Sequence, residues 1–239
     1  MSASDRVMLQ TLGVSRRYGG FAALDGVDIS VSAGSIHGLI GPNGAGKSTL
    51  IDVLSGRADQ WSGSVLLDGE DVSRLTIQQR RGRGLARSFQ RTSIFPNLTV
   101  RIQLELAAHT SSAGNLDSVM EQLSLSHLGD QLAADLSYGD QRRLDLALAM
   151  IGSPRVLLLD EPAAGLTRAE SLTLAALLRD LARSLGITVL LVEHDMEVVF
   201  SICERITVLH LGRVLVEGSV DEVRRHPSVV EAYLGRSAQ

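Results

Sequence analysis

Apolar residues follow two patterns along this chain: short unbroken runs, and longer stretches in which they recur at helical spacing. The unbroken runs include residues Ile36–Ile40, 156–159 and 187–192. Such runs are typical of strands that are buried on both faces of a sheet. Because a helical pattern follows each of them, at 47–54, 168–184 and 196–202, the order predicts an α/β fold with a mostly parallel central sheet.

The N-terminal part of the chain has a different pattern, in which apolar and polar residues alternate. Residues 7–15 and 27–32 alternate in this way on either side of Gly19-Gly20, and residues 63–67 and Val72 continue the pattern. Alternation of this kind predicts an antiparallel sheet at the N-terminus. The remaining predicted elements are helices at 75–82 and 138–151 and strands at 85–89, 206–209 and 214–216.

A segment without strand patterns divides the predicted parallel sheet. Between residues 94 and 134 the apolar residues are spaced for helices, with a weak break at 111–114. We therefore expect a helical insert. The chain is predicted to be a single domain of residues 1–239, with a core of about 1–92 and 154–239 and an insert of about 93–153.

Composition is that of an ordinary globular protein and argues against several functions. Hydrophobic residues make up 44% of the 239 residues, charged residues 21%, and the formal net charge is -4, which gives no general attraction to nucleic acid or anionic lipid. Aromatic residues make up 3%, which argues against a stacking platform for single-stranded nucleic acid. With one cysteine, no visible signal peptide and no membrane-length apolar run, we expect a soluble, cytoplasmic protein that binds no nucleic acid.

The loop after the first buried run carries the strongest chemical signal in the chain. Two glycines, Gly41 and Gly46, are followed by Lys47 and Ser48, between a predicted strand and a predicted helix. Glycines let backbone N–H groups turn toward an anion, and the helix adds its positive N-terminal end. The pattern predicts a phosphate-binding loop in which Lys47 contacts the outer phosphates and Ser48 ligates Mg²⁺. A glycine-rich turn that only caps a helix is the alternative. The residues expected to contact ATP here are Asn43, Gly44, Gly46, Lys47, Ser48 and Thr49.

Two adjacent carboxylates, Asp160 and Glu161, end the second buried run. Ligands of α/β folds bind at the carboxyl ends of the strands. There Asp160 is suited to the Mg²⁺ shell, and Glu161 to polarising an attacking water. A strand that ends in two solvated acids is common, so the pair is informative only together with the upstream phosphate loop. The combination predicts a site for ATP and Mg²⁺.

The stretch Leu136-Ser137-Tyr138-Gly139-Asp140-Gln141-Arg142-Arg143 resembles the signature of ABC transporter ATPases. A serine hydroxyl, a glycine N–H and the start of a helix would form a second anion site; a plain helix N-cap at Ser137 is the alternative. The resemblance implies that two subunits pair head to tail, with Ser137 and Gly139 facing the ATP on the partner's phosphate loop. Tyr138 and Asp140 depart from the glycine and glutamine of the family pattern, and we expect Asp140 to point away from the phosphate.

The resemblance assigns further residues, in the order in which the family carries them. Gln90, after the strand at 85–89, matches the glutamine that reaches Mg²⁺ and the water; His194 matches the histidine near the γ-phosphate. Tyr18 matches the aromatic residue that stacks on adenine, with a tyrosine on the sheet surface as the alternative. Thr167 stands where most members have aspartate. Catalysis is thus assigned to Glu161, His194, Gln90 and Lys47, and Mg²⁺ ligation to Ser48, Gln90 and Asp160.

Three parts of the sequence are similar to one branch of this family, the ATPases of high-affinity branched-chain amino-acid importers. They are residues 84–90 with 94–100, 136–139 with Arg142-Arg143, and the ending at 193–197, 217–218 and 226–235. The resemblance implies a chain at the cytoplasmic face of the plasma membrane. It also implies three partners: transmembrane permease subunits, a second and preferably different ATPase subunit, and indirectly a solute-binding protein.

One segment is the predicted contact with the permease. It contains Ile94, Phe95, Pro96 and Leu98, an apolar set that could receive a helix of a membrane subunit; packing within the insert is the alternative. Two places in the sequence depart from the pattern of this branch. Ile102-Gln103 replace an expected Glu-Asn, and, further along the chain, Leu148 replaces an expected arginine. These departures leave the transported solute open.

Other functions remain open on the sequence alone. An ATPase for urea or short-chain amides, or for lipopolysaccharide export, would have similar signatures. ABC ATPases of translation or DNA repair usually have two cassettes or long coiled-coil inserts, whereas this sequence has one phosphate loop and a short insert. A binding module that has lost hydrolysis is disfavoured by the intact motif residues Lys47, Ser48, Gln90, Asp160, Glu161 and His194.

Overall fold

An antiparallel sheet begins the fold in the computed structural model, which describes residues 6–88, 94–109 and 115–234. Strands β1 (Val7–Tyr18) and β2 (Phe21–Ser32) form a long hairpin, and β4 (Trp61–Leu67) with β5 (Glu70–Asp71) extends the sheet in the order β2-β1-β4-β5. The hairpin is longer than the alternation predicted, because irregularities in the pairing of β1 with β2 interrupt the pattern while the strands continue.

The second sheet contains the buried runs. Its order across the described residues is β10-β9-β3-β8-β7-β6, and each neighbouring pair is parallel except β9 with β10. This confirms the predicted α/β fold with a parallel core beside an N-terminal antiparallel sheet. In chain order the strands are β3 (Ile36–Ile40), β6 (Leu85–Ser88), β7 (Val156–Asp160), β8 (Thr188–Val192), β9 (Arg205–His210) and β10 (Arg213–Ser219).

Helices follow most of the parallel strands. Helices α3 to α5 and two short 3₁₀ turns lie between β6 and β7, where the sequence predicts helices. Helices α8 and α9 were not predicted, since their apolar patterns are short. No helix in the described parts of the chain is long and apolar enough to span a bilayer. The bounds are α1 (Lys47–Ser55), α2 (Ile77–Gly82), α3 (Val100–His109), α4 (Leu116–Gln122), α5 (Tyr138–Met150), α6 (Arg168–Leu185), α7 (Met196–Ile202), α8 (Val220–Arg225) and α9 (Pro227–Leu234).

Side chains of the parallel strands alternate between two apolar clusters, one on each face of the sheet. Ile40 and Leu159 belong to the cluster that contains residues of α3, α5 and α6, among them Leu104. Leu39 and Leu158 belong to the cluster that contains residues of α1 and the antiparallel sheet. Because successive strand residues point to opposite faces, a strand covered on both faces must be apolar throughout, as the sequence shows.

Two consecutive arginines of α2 cap the C-terminal ends of two longer helices. Arg80 is buried and donates to the Val53 carbonyl near the end of α1 at 2.6 Å. Arg81 donates to the Ala149 carbonyl of α5 at 2.8 Å and also to the Ile151 carbonyl just beyond that helix. A cation at a helix C-terminus satisfies carbonyls that have no partner within the helix. Helix α2 therefore fixes α1, which follows the phosphate loop, relative to α5.

His37 of β3 is a buried histidine, with 1% of its surface exposed. Its Nε2 lies 2.8 Å from the Thr207 hydroxyl, which donates to Glu217 at 3.0 Å. Because that hydroxyl has one proton to give, its oxygen accepts from the Nε2–H group of His37. Burial, with a smaller contribution from the charge of Arg205, lowers the pKa of His37 from 6.5 to about 4.

Acidification should destabilise the chain through His37. The pKa of His37 is 6.5 in the unfolded chain and about 4 in the folded chain. Between these two pH values the unfolded chain carries a proton on His37 that the folded chain does not. The free energy of unfolding should therefore fall by about 2 kcal/mol from about pH 7.5 to about pH 5. Urea unfolding at both pH values should show a smaller loss for His37→Gln than for wild type. His127→Gln, at an exposed position, is the control; equal losses in wild type and His37→Gln would contradict the prediction.

Candidate active site

The predicted phosphate loop runs from the end of β3 to the start of α1. Gly41 and Gly46 have φ of 154° and 107°, and a Cβ there would lie 2.2 Å from the Leu209 carbonyl oxygen and 2.6 Å from the Ala23 carbonyl oxygen. Glycine is required because the loop passes against neighbouring backbone in conformations that other residues rarely adopt. Helix α1 has no capping side chain at its N-terminus, so its first N–H groups can face an anion.

Side chains of the loop divide into exposed groups and one buried cation. Asn43, Gly44 and Ser48 are exposed and Thr49 is half-buried, so the predicted nucleotide contacts lie at an accessible edge. Lys47 is only 6% exposed. The exposed groups are therefore accessible to a ligand, and their contacts with ATP stay a prediction.

The Lys47 ammonium group binds carbonyls of its own loop. Its Nζ donates to the carbonyls of Gly41 at 2.6 Å and Pro42 at 3.2 Å. Burial lowers the pKa of Lys47, and the negative charges of Glu161 and Asp160 oppose this shift. The structure therefore brings the lysine of the loop close enough to the two acids at the end of β7 for their charges to act on it.

Asp160 ends β7 and is buried beside Arg87 of β6. Its Oδ2 accepts a hydrogen bond from Arg87 at 3.1 Å, and the same guanidinium binds Asp52 of α1 at 2.6 Å. Burial raises the pKa of Asp160, while the charge of Arg87 opposes the increase. Oδ1 of Asp160 is buried and has no hydrogen-bond partner within the described residues. A buried carboxylate oxygen without a donor fits a Mg²⁺ ligand, and the exposed Ser48 hydroxyl supplies the second oxygen type that this cation prefers.

Glu161 and His194 form a pair at the carboxyl ends of β7 and β8. His194 Nε2 lies 2.9 Å from Glu161 Oε1. The backbone of Glu161 has a φ of 52°, and its N–H donates to the Val192 carbonyl at 2.9 Å. A left-handed conformation is uncommon for a residue other than glycine and is found at functional sites. The two side chains are therefore in direct contact, and their catalytic roles stay a prediction.

Glu193 is a buried acid whose structural role was not predicted from the sequence. One carboxylate oxygen accepts from the Ala163 N–H at 2.7 Å, and the other accepts from the His194 N–H at 3.1 Å. Burial raises the pKa of Glu193, and these backbone hydrogen bonds oppose the increase. The residue joins the loop after Glu161 to the loop that carries His194. The signal in the sequence was an acid placed directly after an apolar run.

The start of α5 corrects one expectation about the signature. Ser137 is the N-cap of α5, and its Oγ accepts from the Asp140 N–H at 3.1 Å. The same hydroxyl donates to Asp140 Oδ2 at 2.6 Å, while Arg143 lies 2.6 Å from Asp140 Oδ1. The prediction that Asp140 points away from the anion site is therefore wrong. The carboxylate turns back because the serine hydroxyl and the arginine both stabilise it there.

Tyr138, the other departure in the signature, binds the loop after Glu161. Its hydroxyl donates to the Ala164 carbonyl at 3.0 Å, and Arg142 donates to both the tyrosine oxygen at 2.8 Å and the same carbonyl at 3.0 Å. Gly139 follows in the first turn of α5. Thr167, which replaces an expected aspartate, caps α6 by accepting from the Glu170 N–H.

Two predicted residues lie outside this cluster of contacts. Tyr18 ends β1 with 52% of its surface exposed, and the Arg16 guanidinium lies 4.6 Å from the centre of its ring. An exposed aromatic ring is suited to stacking on a base, and that role stays a prediction. Gln90 lies outside the described residues.

The arrangement has the components of phosphoryl transfer to water. A glycine loop and a lysine can hold the phosphates, an acid with a donor-free oxygen can hold a cation, and a glutamate paired with a histidine can accept a proton. The acids and the histidine lie at the carboxyl ends of β7 and β8, and β8 is the neighbour of β3, the strand that leads into the loop. The fold and the site define a phosphate-loop nucleoside triphosphatase.

Comparisons with known proteins narrow this class. Residues 24–164 match the ABC transporter family, and residues 213–239 match the family described as branched-chain amino acid ATP-binding cassette transporter. The chain is 35% identical over 253 residues to the high-affinity branched-chain amino acid transport ATP-binding protein BraF of Pseudomonas aeruginosa, covering 97% of this chain and 99% of the relative. It is 35% identical over 251 residues to LivG of Escherichia coli (strain K12), which bears the same description, covering 96% of this chain and 98% of the relative.

A solved structure agrees with these relatives. The ADP conformation of MJ1267, an ATP-binding cassette of an ABC transporter, superposes with a TM-score of 0.88 at 29% identity, covering 96% of this chain and 99% of that chain. The chain belongs to the ABC transporter ATP-binding family. It is a nucleotide-binding ATPase cassette of a transporter.

Removing the Arg87 side chain should destabilise the protein because Asp160 would then be buried without the guanidinium that pairs with it. Urea unfolding of Arg87→Met without nucleotide should show a loss of about 3 kcal/mol, the size typical of a broken buried pair. The matched control is Arg168→Met, which removes an exposed ion pair with Glu197 and should change stability far less. Equal effects of the two substitutions would contradict the role of Arg87.

Proposed function

We propose that the chain is the ATP-hydrolysing subunit of an importer for branched-chain or related amino acids. BraF and LivG support this proposal, since both carry that transport function in their names and match nearly the whole length of the chain. The C-terminal match at residues 213–239 points to the same branch of the family. The observation that carries the ATPase chemistry is the pair of Glu161 and His194, 2.9 Å apart, close to Lys47.

Binding of the triphosphate starts at the phosphate loop. Backbone N–H groups of Gly44 and Gly46 and of the first turn of α1 surround the β- and γ-phosphates. Lys47 exchanges its present contacts with two loop carbonyls for phosphate oxygens. Tyr18 stacks on the adenine, and Asn43 and Thr49 complete the polar contacts.

Metal ligation is proposed for Ser48, Gln90 and Asp160. Mg²⁺ held by these residues and the phosphates supplies positive charge that stabilises the transferred phosphoryl group. Arg87 holds Oδ2 of Asp160, which leaves Oδ1 of the same carboxylate as the oxygen that would hold the cation. The neighbouring guanidinium thus fixes which oxygen is used.

Glu161 is the proposed general base. A carboxylate at the end of β7 accepts a proton from the attacking water and lowers the barrier to in-line attack. His194 donates a hydrogen bond to this carboxylate and fixes its orientation. In the nucleotide complex, His194 and Lys47 stabilise charge on the γ-phosphate.

ATP-dependent pairing of two subunits is proposed to drive transport. ATP on the phosphate loop of one subunit contacts Ser137 and Gly139 of the other, so that ATP favours the closed pair and hydrolysis releases it. We prefer a pair of two different ATPase subunits. The pair acts on permease subunits at the cytoplasmic face of the plasma membrane, and a solute-binding protein delivers the amino acid. We propose a single ATP-binding domain in which about residues 93–153 are the helical insert.

A groove beside the start of the insert is the proposed dock for the permease. It has a volume of about 280 Å³, and its lining combines the apolar side chains of Phe95, Leu106 and Leu148 with polar ones such as those of Arg81 and Arg87. Phe95 is 62% exposed, although its N–H is held by the Gln103 side chain at 2.8 Å. Gln103 also donates to the Leu98 carbonyl at 3.2 Å. The unexpected glutamine in the sequence thereby shapes the segment that presents Phe95.

Replacing Glu161 by glutamine should abolish ATP hydrolysis without abolishing ATP binding. The amide cannot accept the proton of the attacking water, so turnover should fall at least about 100-fold. Phosphate release and binding of a fluorescent ATP analogue are the measurements. Glu170→Gln, a change in the exposed first turn of α6, is the control. Unchanged turnover in Glu161→Gln would refute the assignment of Glu161.

Replacing Phe95 by serine should weaken binding to the permease subunits by about 30-fold, the effect of losing an aromatic hot spot. The isolated Phe95→Ser chain should still bind ATP as wild type does, because Phe95 is not among the residues assigned to nucleotide binding. Titration of the purified chain onto membranes that contain the permease would measure this. Leu185→Ser, an exposed apolar residue at the end of α6, is the control. Equal affinity of wild type and Phe95→Ser would exclude the groove as the dock.

A further inference from the structure

We propose that Asp140 weakens the ATP-binding half-site that this chain offers to a partner, and so favours pairing with a different ATPase over pairing with a second copy. The signature half-site is defined here as Ser137, Gly139 and the first turn of α5. The inference rests on the proposed function, since it concerns ATP bound between two subunits. The proposed effect comes from Asp140, which stands where the family pattern has glutamine.

The single proton of the Ser137 hydroxyl is already used within the chain. That hydroxyl donates to Asp140 Oδ2 at 2.6 Å, while its oxygen accepts from the Asp140 N–H at 3.1 Å. A serine hydroxyl has one hydrogen to donate. It can therefore donate to a phosphate oxygen only after the bond to the carboxylate is broken. A bond to an ionised acceptor is stronger than one between neutral groups, so breaking it is costly.

The negative charge of Asp140 also opposes the binding of a phosphate at this half-site. The carboxylate of Asp140 lies in contact with the hydroxyl that should meet the γ-phosphate, and two negative groups at such a distance repel each other. Arg143, 2.6 Å from Oδ1, offsets part of this charge and also holds the carboxylate in place. Turning Asp140 away would break its contacts with Ser137 and Arg143 together. A neutral glutamine would carry no such charge.

A pair of identical chains and a mixed pair differ in how many of their ATP sites contain Asp140. Two copies of this chain would form two ATP sites, each closed by a half-site that contains Asp140. A pair with a subunit whose signature is neutral would contain one such site and one without the acid. ATP binding therefore stabilises the mixed pair more than the pair of identical chains.

Self-association driven by ATP gives a direct test in the Glu161→Gln background, where hydrolysis does not break the pair. Light scattering during an ATP titration would compare Glu161→Gln with Glu161→Gln/Asp140→Gln. We expect the second protein to need roughly tenfold less ATP for half-maximal pairing, the effect of about one hydrogen bond to a charged group. Binding of a fluorescent ATP analogue to the single chain should be the same in both, because the phosphate loop is unchanged.

A matched control and a second variant separate this effect from general changes in charge or folding. Asp135→Asn removes an exposed carboxylate just before the signature and should leave pairing unchanged. Asp140→Asn also removes the charge. It is used in place of Asp140→Gln if thermal unfolding shows that Asp140→Gln is not folded. Equal gains in the Asp135 and Asp140 variants would overturn the proposal.

A double-mutant cycle with Ser137→Ala tests the use of the hydroxyl proton. With Asp140 present, Ser137→Ala should change pairing less than about twofold, since the hydroxyl is already engaged. With Gln at the same position, Ser137→Ala should remove most of the tenfold gain. Equal effects in both backgrounds would overturn the inference.

The same measurements distinguish failure of the inference from failure of the proposed function. If Glu161→Gln binds the ATP analogue but Asp140→Gln does not improve pairing, the inference is wrong and the ATPase assignment stands. If the chain binds no ATP analogue, the proposed function and the inference both fail.

Discussion

The buried contact between Arg87 and Asp160 is the interaction on which the arrangement of the nucleotide site depends. Arg87 lies on β6 and Asp160 on the neighbouring strand β7, and the same guanidinium binds Asp52 of α1, the helix that begins at the phosphate loop. Charged groups taken out of water are tolerated only where they are paired with good geometry. The two strands and the helix therefore keep one relative position. As a result, the acid suited to a cation and the loop suited to phosphate are parts of one rigid unit.

The parallel sheet places the chemistry, and the two arginines of α2 limit how its helices can shift. Motif residues follow β3, β7 and β8, whose carboxyl ends lie side by side in the sheet order, so distant parts of the sequence meet at one edge. Arg80 and Arg81 bind carbonyls at the far ends of α1 and α5. The phosphate loop and the signature are thus the N-terminal ends of two helices whose C-terminal ends are held by neighbouring residues.

The sequence revealed the parts of this site that depend on local pattern. Lys47, Asp160 and Glu161 could be predicted because each closely follows a buried run, and a glycine loop together with a pair of acids after such runs is typical of a phosphate and metal site. Arg87 was not predicted to bind Asp160, since nothing in a linear pattern shows which cation of β6 faces a given acid of β7. The orientation of Asp140 was predicted wrongly because it depends on a competition between side-chain contacts within one helical turn. The outcome of such a competition depends on the three-dimensional arrangement of the side chains, which the spacing of residues along the sequence does not specify.

The loop after β7 connects the hydrolytic site with the signature inside one chain. Glu193 accepts from the Ala163 N–H, and the next residue, Ala164, has its carbonyl bound by Tyr138 and Arg142 of α5. Two successive residues of the loop are therefore held by different elements, one by the acid that precedes His194 and the other by side chains of α5. A displacement of the loop must alter at least one of these bonds, because each has a short, directional geometry. Tyr138, which departs from the family glycine, makes one of these contacts, so the turn that carries Asp140 is also tied to the loop that follows Glu161.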